Sequence, residues 1–187
     1  METYNLTKFP PPRGRIPNFK GAEKACRKLL EIKEFWRTEG VFSAPDSVLR
    51  KAREICLEKG KTLLIAKPHL KGFLLLKNTE PKRSSTISGM MKYGVEVSIP
   101  SIDIRIGLFL QGCVAVDVYG NRIGKGKGYG DEEFRMLERA GLITENCPVV
   151  VIAHDVQVFD DLSYLVDKRD VPADIILTPT RIIRVKR

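Results

Sequence analysis

The stretch from Gly120 to Asp131 limits the possible folds more than any other part of this chain. Glycines at positions 120, 124, 126, 128 and 130 are interleaved with basic residues, so a backbone free to adopt positive φ carries concentrated positive charge. Valines alternate over residues 114–118 as in a strand, and apolar residues recur at helical spacing over residues 134–140. The stretch is therefore predicted to join a strand to a helix, where free N–H groups and the helix dipole favour an anion such as a polyphosphate.

The glycine spacing matches neither of two common phosphate-binding motifs. In a Walker A loop the two glycines lie further apart than Gly120 and Gly124, and no register of these glycines reproduces the G-x-G-x-x-G pattern of dinucleotide-binding folds. A basic, flexible loop with a purely structural role is the alternative that the spacing leaves open.

Composition predicts one globular domain that prefers anionic partners. The chain has 187 residues, of which 43% are hydrophobic and 29% are charged, and that is ordinary for a folded domain. Its 32 Lys and Arg exceed its 23 Asp and Glu, giving a net charge of +9. Nucleotides, polyglutamylated cofactors and nucleic acid are therefore the natural partners. Nothing in the sequence specifies an oligomer.

The four cysteines are widely spaced and form no C-x-x-C pair, so we expect reduced, mostly buried thiols without zinc or redox chemistry. No apolar run approaches the length of a membrane span, and the first residues lack a signal-peptide core. We expect a cytoplasmic protein that does not contact a membrane.

The N-terminal half is predicted to contain an arm, a helix and a β-α-β unit. Four prolines within residues 8–18 favour an extended basic arm over residues 1–18, with the folded domain covering residues 19–187. One helical face of residues 19–32 is apolar and the other is mostly basic. A strand at 40–43, a helix that begins after Asp46 and ends at Gly60, and a strand at 61–66 then imply a parallel sheet.

The C-terminal half adds buried strands and a second group of polar residues. Residues 148–153 form an apolar run typical of a strand that is buried on both faces, and strands are also predicted on both sides of Pro179. His154, Asp155 and Gln157 follow the 148–153 strand, at the sheet edge where ligands of open α/β sheets bind. A local hydrogen-bonding turn is the other interpretation of the His-Asp pair.

The glycine stretch resembles the G-x-R-L-G-x-G-x-G-Y-Y-D signature of 5-formyltetrahydrofolate cyclo-ligases, also called methenyltetrahydrofolate synthetases. The match covers Gly120, Arg122 to Gly124, Gly126 and Gly128 to Asp131, except that glycine replaces the second tyrosine. Residues 60–66 are similar to the family's G-K-x-V strand, and residues 170–178 are similar to its closing segment, with Arg169 in place of a histidine. The runs 15–21 and 177–181 are closest to the methenyltetrahydrofolate synthetase domain-containing subgroup.

The resemblance implies a single three-layer α/β/α domain with a mostly parallel sheet, of the NagB/RpiA/CoA-transferase-like type. It also implies ATP-dependent cyclisation of 5-formyltetrahydrofolate to 5,10-methenyltetrahydrofolate through a phosphorylated formyl group, with Mg²⁺ as cofactor. A protein that binds nucleotide or pterin without turnover is the alternative. A basic RNA-associated module is a third hypothesis, which the lack of an RNP-like aromatic motif disfavours.

The resemblance also assigns roles to individual residues. The residues expected to bind the nucleotide are Arg15, Lys20, Lys24, Arg122, Gly124, Lys125, Gly126, Lys127, Gly128, Tyr129, Gly130 and Asp131. Lys125 and Tyr129 are the expected catalytic residues among them. Asp131 is expected either to bind Mg²⁺ or to cap the following helix. Tyr93, Glu96 and Gln157 are expected to contact the pterin, although Tyr93 and its neighbouring methionines would equally suit core packing.

Overall fold

The structure is a computed structural model and describes residues 1–185. Within that range the helices are α1 Ala22–Arg27, α2 Lys33–Trp36, α3 Arg50–Glu58, α4 Pro81–Ser84, α5 Ile87–Tyr93 and α6 Tyr129–Arg139. The strands are β1 Gly40–Ser43, β2 Thr62–Ala66, β3 Phe73–Leu76, β4 Val95–Val97, β5 Ile106–Gly112, β6 Ala115–Asp117, β7 Arg122–Ile123, β8 Val149–Ile152, β9 Val158–Phe159, β10 Ile175–Leu177 and β11 Ile182–Arg184.

Eight of these strands form one sheet, in the order β11-β10-β8-β5-β1-β2-β3-β4. The five strands from β10 to β2 in that order run parallel, whereas β11, β3 and β4 add antiparallel edges. The predicted α/β class with a mostly parallel sheet is confirmed. A small second sheet, β7-β6-β9, lies next to the glycine stretch.

The main sheet separates two hydrophobic cores because successive side chains of a strand point to opposite faces. In β1, for example, Val41 packs with α1, α2, α3 and α5 on one face, whereas Phe42 packs with β6 and α6 on the other. Both side chains are fully buried. The central strands therefore read as continuous apolar runs, which is the pattern that identified them in the sequence.

The helix predicted over residues 19–32 is broken. It consists of α1, a 3₁₀ turn at Lys28–Glu31, and α2, with Ile32 extended between them. This break allows Leu29, Ile32 and Phe35 all to be buried in the same core. Tertiary packing has therefore overridden the regular helical period.

The first 18 residues form an irregular arm that lies on the folded domain. Thr7 forms a β-bridge with Phe19, and the Asn18 side chain donates a hydrogen bond of 2.9 Å to the carbonyl of Phe9. Phe19 is fully buried, so the arm is anchored at its C-terminal end. Within residues 1–185, no helix is long and apolar enough to cross a membrane.

Candidate functional site

A cavity of about 820 Å³ opens at the carboxyl-terminal edge of the main sheet. Three of its walls follow directly from strand ends, at residues 44–47 after β1, 67–69 after β2 and 111–112 in β5. The glycine stretch from Arg122 to Asp131 and part of the N-terminal arm complete the lining. Ligands of open α/β sheets bind at this edge because the strands there end in loops that carry free polar groups.

The glycine loop presents both charge and free amides to the cavity. Lys125 and Lys127 line the cavity and are exposed. Gly126 and Gly128 have φ values of 83° and 62°, a conformation that side chains rarely adopt. The N–H groups of Gly124, Gly126 and Gly128 donate no hydrogen bond to any residue within 1–185. Gly128 also precedes α6, so the positive end of that helix points to the same place.

A buried ion pair holds the loop in this shape. Arg122, at the start of β7, donates from Nη2 to Asp131 Oδ1 at 2.5 Å, and only 8% of Arg122 is exposed. The same carboxylate oxygen accepts a hydrogen bond of 3.0 Å from the Val171 N–H. Asp131 therefore connects the two ends of the loop to the segment that precedes β10. The helix cap is Gly128, so the interpretation of Asp131 as the N-cap is wrong.

Tyr129, the first residue of α6, lies between two basic side chains at the mouth of the cavity. The ring of His69 meets it edge-on with centroids 6.1 Å apart, and Lys127 Nζ lies 6.0 Å from the centroid of the Tyr129 ring. His69 and Leu70 both have positive φ, at 63° and 56°. Neither residue is glycine, so this turn stores backbone strain next to the cavity.

Four polar residues form what we call the buried wall of the cavity: Arg53, Gln111 and Glu133, which are buried, and Asp46, which is half-buried. Arg53 on α3 is fully buried and donates three hydrogen bonds of 3.0 Å, to the carbonyls of Ser85, Ala44 and Asp46, while its Nη2 has no partner. Gln111 donates from Nε2 to the carbonyl of Gly130 at 3.0 Å, and its Oε1 is buried without a partner.

The acidic residues of the buried wall have perturbed pKa values. Burial is the main cause that raises the pKa of Glu133 to about 8, and the neighbouring Asp46 carboxyl raises it further against the effect of Lys125. Burial likewise raises the pKa of Asp46, although Lys125 and Arg53 oppose the shift. The wall therefore combines a neutral acid with a fixed cation, a combination typical of functional sites.

Five residues expected at the site are not part of the cavity lining: Lys20, Lys24, Tyr93, Glu96 and Gln157. Lys20 and Lys24 are exposed and do not line the cavity. Glu96 of β4 is not part of the lining, although it forms an ion pair of 2.8 Å with Lys67, which is. Tyr93 at the end of α5 is exposed with its ring near Lys92. Lys24 lies on the outer surface because the apolar face of α1 takes the core positions, whereas Lys20 precedes that helix.

Gln157 has a structural role in the small sheet. Only 2% of Gln157 is exposed. Its amide donates to the carbonyls of Cys113 and Val114, and its Oε1 accepts from the His154 N–H. A second cavity of about 720 Å³ borders it and shares Arg15 and Lys125 with the first. Gln157 therefore fixes the segment between β5 and β6 and leaves no amide hydrogen for a ligand.

Comparison with known proteins identifies the family of this chain. The sequence profile of the 5-formyltetrahydrofolate cyclo-ligase family matches residues 7–179. The chain belongs to this family. It is 40% identical to the human methenyltetrahydrofolate synthase domain-containing protein over 192 aligned positions, which cover 98% of this chain and 50% of the human protein. The mouse protein of that name is 39% identical over 98% of this chain and 51% of its own length. The chain thus spans about half the length of the curated relatives it matches.

Two solved structures show that this cyclo-ligase family member has the fold of methenyltetrahydrofolate synthetases. The Aquifex aeolicus 5,10-methenyltetrahydrofolate synthetase superposes with a TM-score of 0.59 at 22% identity, covering 89% of this chain and 82% of the other. The Mycoplasma pneumoniae 5,10-methenyltetrahydrofolate synthetase superposes with a TM-score of 0.50 at 18% identity, covering 83% of both chains. At these identities the likeness concerns the fold alone.

The cyclo-ligase signature did not reveal the buried wall. Arg53 interrupts the apolar face that Ala52, Ile55 and Cys56 give to α3, and Gln111 interrupts the apolar run of β5. A charged or amide side chain in a core-facing position is the signal that could have identified both. Glu133 carries no such signal, because it lies among other acidic residues in the first turns of α6.

Proposed function

We propose that this chain is an ATP-dependent 5-formyltetrahydrofolate cyclo-ligase. The observation that supports this most directly is the glycine loop, whose uncommitted amides and two lysines line a large cavity in a member of this family. Free N–H groups at a helix N-terminus, together with lysine ammonium groups, suit the phosphates of a nucleotide. The adjoining buried wall provides polar groups for a second ligand in the same cavity.

In the proposed reaction the formyl oxygen of 5-formyltetrahydrofolate attacks the terminal phosphorus of ATP, and ADP leaves. The second folate nitrogen then attacks the activated formyl carbon and loses its proton. The carbon–oxygen bond breaks to release inorganic phosphate, which yields 5,10-methenyltetrahydrofolate. Lys125, Lys127 and the loop amides would neutralise charge on the transferred phosphoryl group. Tyr129 lies at the mouth, where its hydroxyl would orient the phosphate chain.

Mg²⁺ fits this site with the phosphates supplying most of its ligands. Within residues 1–185 no group of three or more His, Cys, Asp or Glu side chains is arranged to hold a metal ion. Asp131 engages protein donors through Oδ1, which leaves Oδ2 as a single protein ligand. Mg²⁺ commonly takes one or two carboxylates together with substrate phosphates. The ion would neutralise phosphate charge, and Arg122 would fix the carboxylate that holds it.

The test measures methenyl product formation from 5-formyltetrahydrofolate, ATP and Mg²⁺. Wild-type protein should turn over, and Lys125→Ala should lower kcat/KM by about 100-fold or more, as expected for removing a group that stabilises transition-state charge. Lys24→Ala is a matched control, because Lys24 was expected to bind nucleotide but lies outside the cavity. Turnover that is unchanged in Lys125→Ala would refute the assignment of the phosphate site.

Binding without turnover is a second candidate function, and the sequence at position 130 favours it. A side chain at Gly130 would place its Cβ 2.6 Å from Gln111 Nε2, so the second tyrosine of the signature cannot fit beside this Gln111 rotamer. The cavity of this family member is thus remodelled at one of the signature positions. Tight nucleotide and folate binding with no methenyl product would support this alternative.

A further inference from the structure

The buried wall contains polar atoms that the protein itself leaves unpaired. Gln111 Oε1 and Arg53 Nη2 are buried without a hydrogen-bond partner. Glu133 is only 5% exposed, and its carboxyl makes no hydrogen bond to any residue within 1–185. Unpaired buried polar groups cost free energy and are rare in native proteins. Gln111 Oε1 and Arg53 Nη2 are two such groups, and the Glu133 carboxyl lines the same cavity without a hydrogen-bond partner in the described residues, so a ligand is indicated that supplies these partners.

These groups are close to one another. Gln111 bonds to the carbonyl of Gly130, and Glu133 follows one turn later on the same face of α6. Arg53 bonds to the carbonyl of Asp46, and the Asp46 carboxyl lies near enough to Glu133 to act on it electrostatically. The arrangement depends on glycine at position 130, because a Cβ there would displace Gln111.

Gln111 Oε1 is an acceptor and Arg53 Nη2 is a donor. Glu133 is protonated at neutral pH in the protein alone, and it becomes a second acceptor when a pair of ligand N–H groups stabilises its ionised form. A carboxylate accepts two parallel hydrogen bonds, as it does from the fork of a guanidinium. A 2-amino-4-oxopyrimidine ring presents the same pair of parallel N–H donors in its amino group and adjacent ring N–H, and its carbonyl provides an acceptor beside them. Adenine has one amino donor on the corresponding edge, so it cannot satisfy a carboxylate in this way.

We propose that Glu133 is the specificity-determining residue of this cavity and that it binds the amino and ring N–H edge of a 2-amino-4-oxopyrimidine ring. Gln111 and Arg53 supply the flanking acceptor and donor. Pterins and guanine share this edge. The inference rests on the proposed function only for the expectation that the ring belongs to a folate, and a guanine nucleotide would use the same contacts.

The test compares ligand binding by calorimetry in wild-type, Glu133→Gln and Glu132→Gln proteins. Glutamine keeps the size of the side chain but replaces one acceptor with a donor, so bidentate pairing is lost. Glu132 is the matched control, because it lies on the same helix and pairs with Arg139 on the surface. We expect Glu133→Gln to weaken 5-formyltetrahydrofolate binding at least tenfold, to leave ADP affinity within about twofold, and Glu132→Gln to behave as wild type.

Two further ligands identify the ring and avoid reliance on the variant. GDP that binds more tightly than ADP, with a preference lost in Glu133→Gln, would assign the edge to guanine. Wild-type protein should also prefer pterin over lumazine by tenfold or more, because lumazine carries a carbonyl in place of the 2-amino group. That comparison stands even if Glu133→Gln does not fold.

Equal affinity of wild-type and Glu133→Gln proteins for 5-formyltetrahydrofolate and for GDP would overturn the inference, as would equal affinity for pterin and lumazine. A different set of results would refute the proposed function. Folate binding that depends on Glu133 without any turnover would refute the cyclo-ligase activity and support the inference. Normal turnover in Glu133→Gln would support the cyclo-ligase activity and refute the inference.

Discussion

Replacing Glu133 with Gln should change how the stability of the protein depends on pH. The folded-state pKa of Glu133 is about 8, above its ordinary value of 4.5. Between these two values the folded protein holds one proton more than the unfolded chain. The free energy of unfolding that depends on this group is therefore greatest below pH 4.5, declines as the pH rises to about 8, and is constant above that.

The magnitude follows from the two pKa values. They differ by about 3.5 units, and each unit corresponds to about 1.4 kcal/mol. Glu133 is only 5% exposed, so solvent screening reduces this free-energy difference only slightly. The advantage of Glu133→Gln over wild type should consequently grow by at most about 1.4 kcal/mol per pH unit, and by roughly 3–4 kcal/mol between pH 5 and pH 8, because the curve flattens near each pKa.

Urea unfolding followed by Trp36 fluorescence measures this difference. The buffers should contain EDTA and no nucleotide, so that neither metal nor phosphate titrates with the side chain. Glu132→Gln should run parallel to wild type, because its partner Arg139 is on the surface. A constant difference between wild type and Glu133→Gln from pH 5 to pH 8 would show that Glu133 is ionised in the folded protein, contrary to the burial argument.

Two other predictions concern stability. Gly130→Ala should destabilise the protein by about 1–3 kcal/mol, because the new Cβ would lie 2.6 Å from Gln111 Nε2. A Cβ at Gly124 meets no atom within 4 Å, so Gly124→Ala should cost less than about 1 kcal/mol. Equal melting temperatures for the two variants would contradict this prediction. Arg184→Gln removes a pair of hydrogen bonds to Glu34 at 2.7 and 3.2 Å. These bonds lower the pKa of Glu34, so their contribution to the free energy of unfolding is present at neutral pH and is lost on acidification. Because about half of the Arg184 side chain is exposed, denaturant titration of Arg184→Gln at pH 7 should show a free energy of unfolding lower by less than about 1 kcal/mol.

The main sheet could be predicted because its signal is local. Residues 40–43, 61–66 and 148–153 are apolar runs bounded by turn residues, and each lies within one residue of a strand in the structure. The break between α1 and α2 was not predictable in the same way. It depends on how Ile32 and Phe35 fit a core that also contains residues from β2 and β5.

In the candidate site, too, the part with a local sequence signal could be predicted and the part assembled from distant residues could not. The glycine loop could be predicted from the spacing of its glycines and the charge of its lysines, and all of its residues from Arg122 to Asp131 line the cavity. The buried wall joins residues 46, 53, 111 and 133, which come from separate elements and have no common motif. Lys20 and Lys24 are assigned to the nucleotide by the resemblance, and neither lines the cavity in the structure, because a family pattern does not state which face of a helix meets a pocket.

The N-terminal arm contributes Phe9, Pro10 and Arg15 to the cavity lining, while Asp170 contributes from near the other end of the chain. A shortened version that began at the first regular helix would keep every strand and yet lack one side of its binding chamber. Truncation within residues 9–15 would thus change the site itself, and assays of this protein should retain that segment.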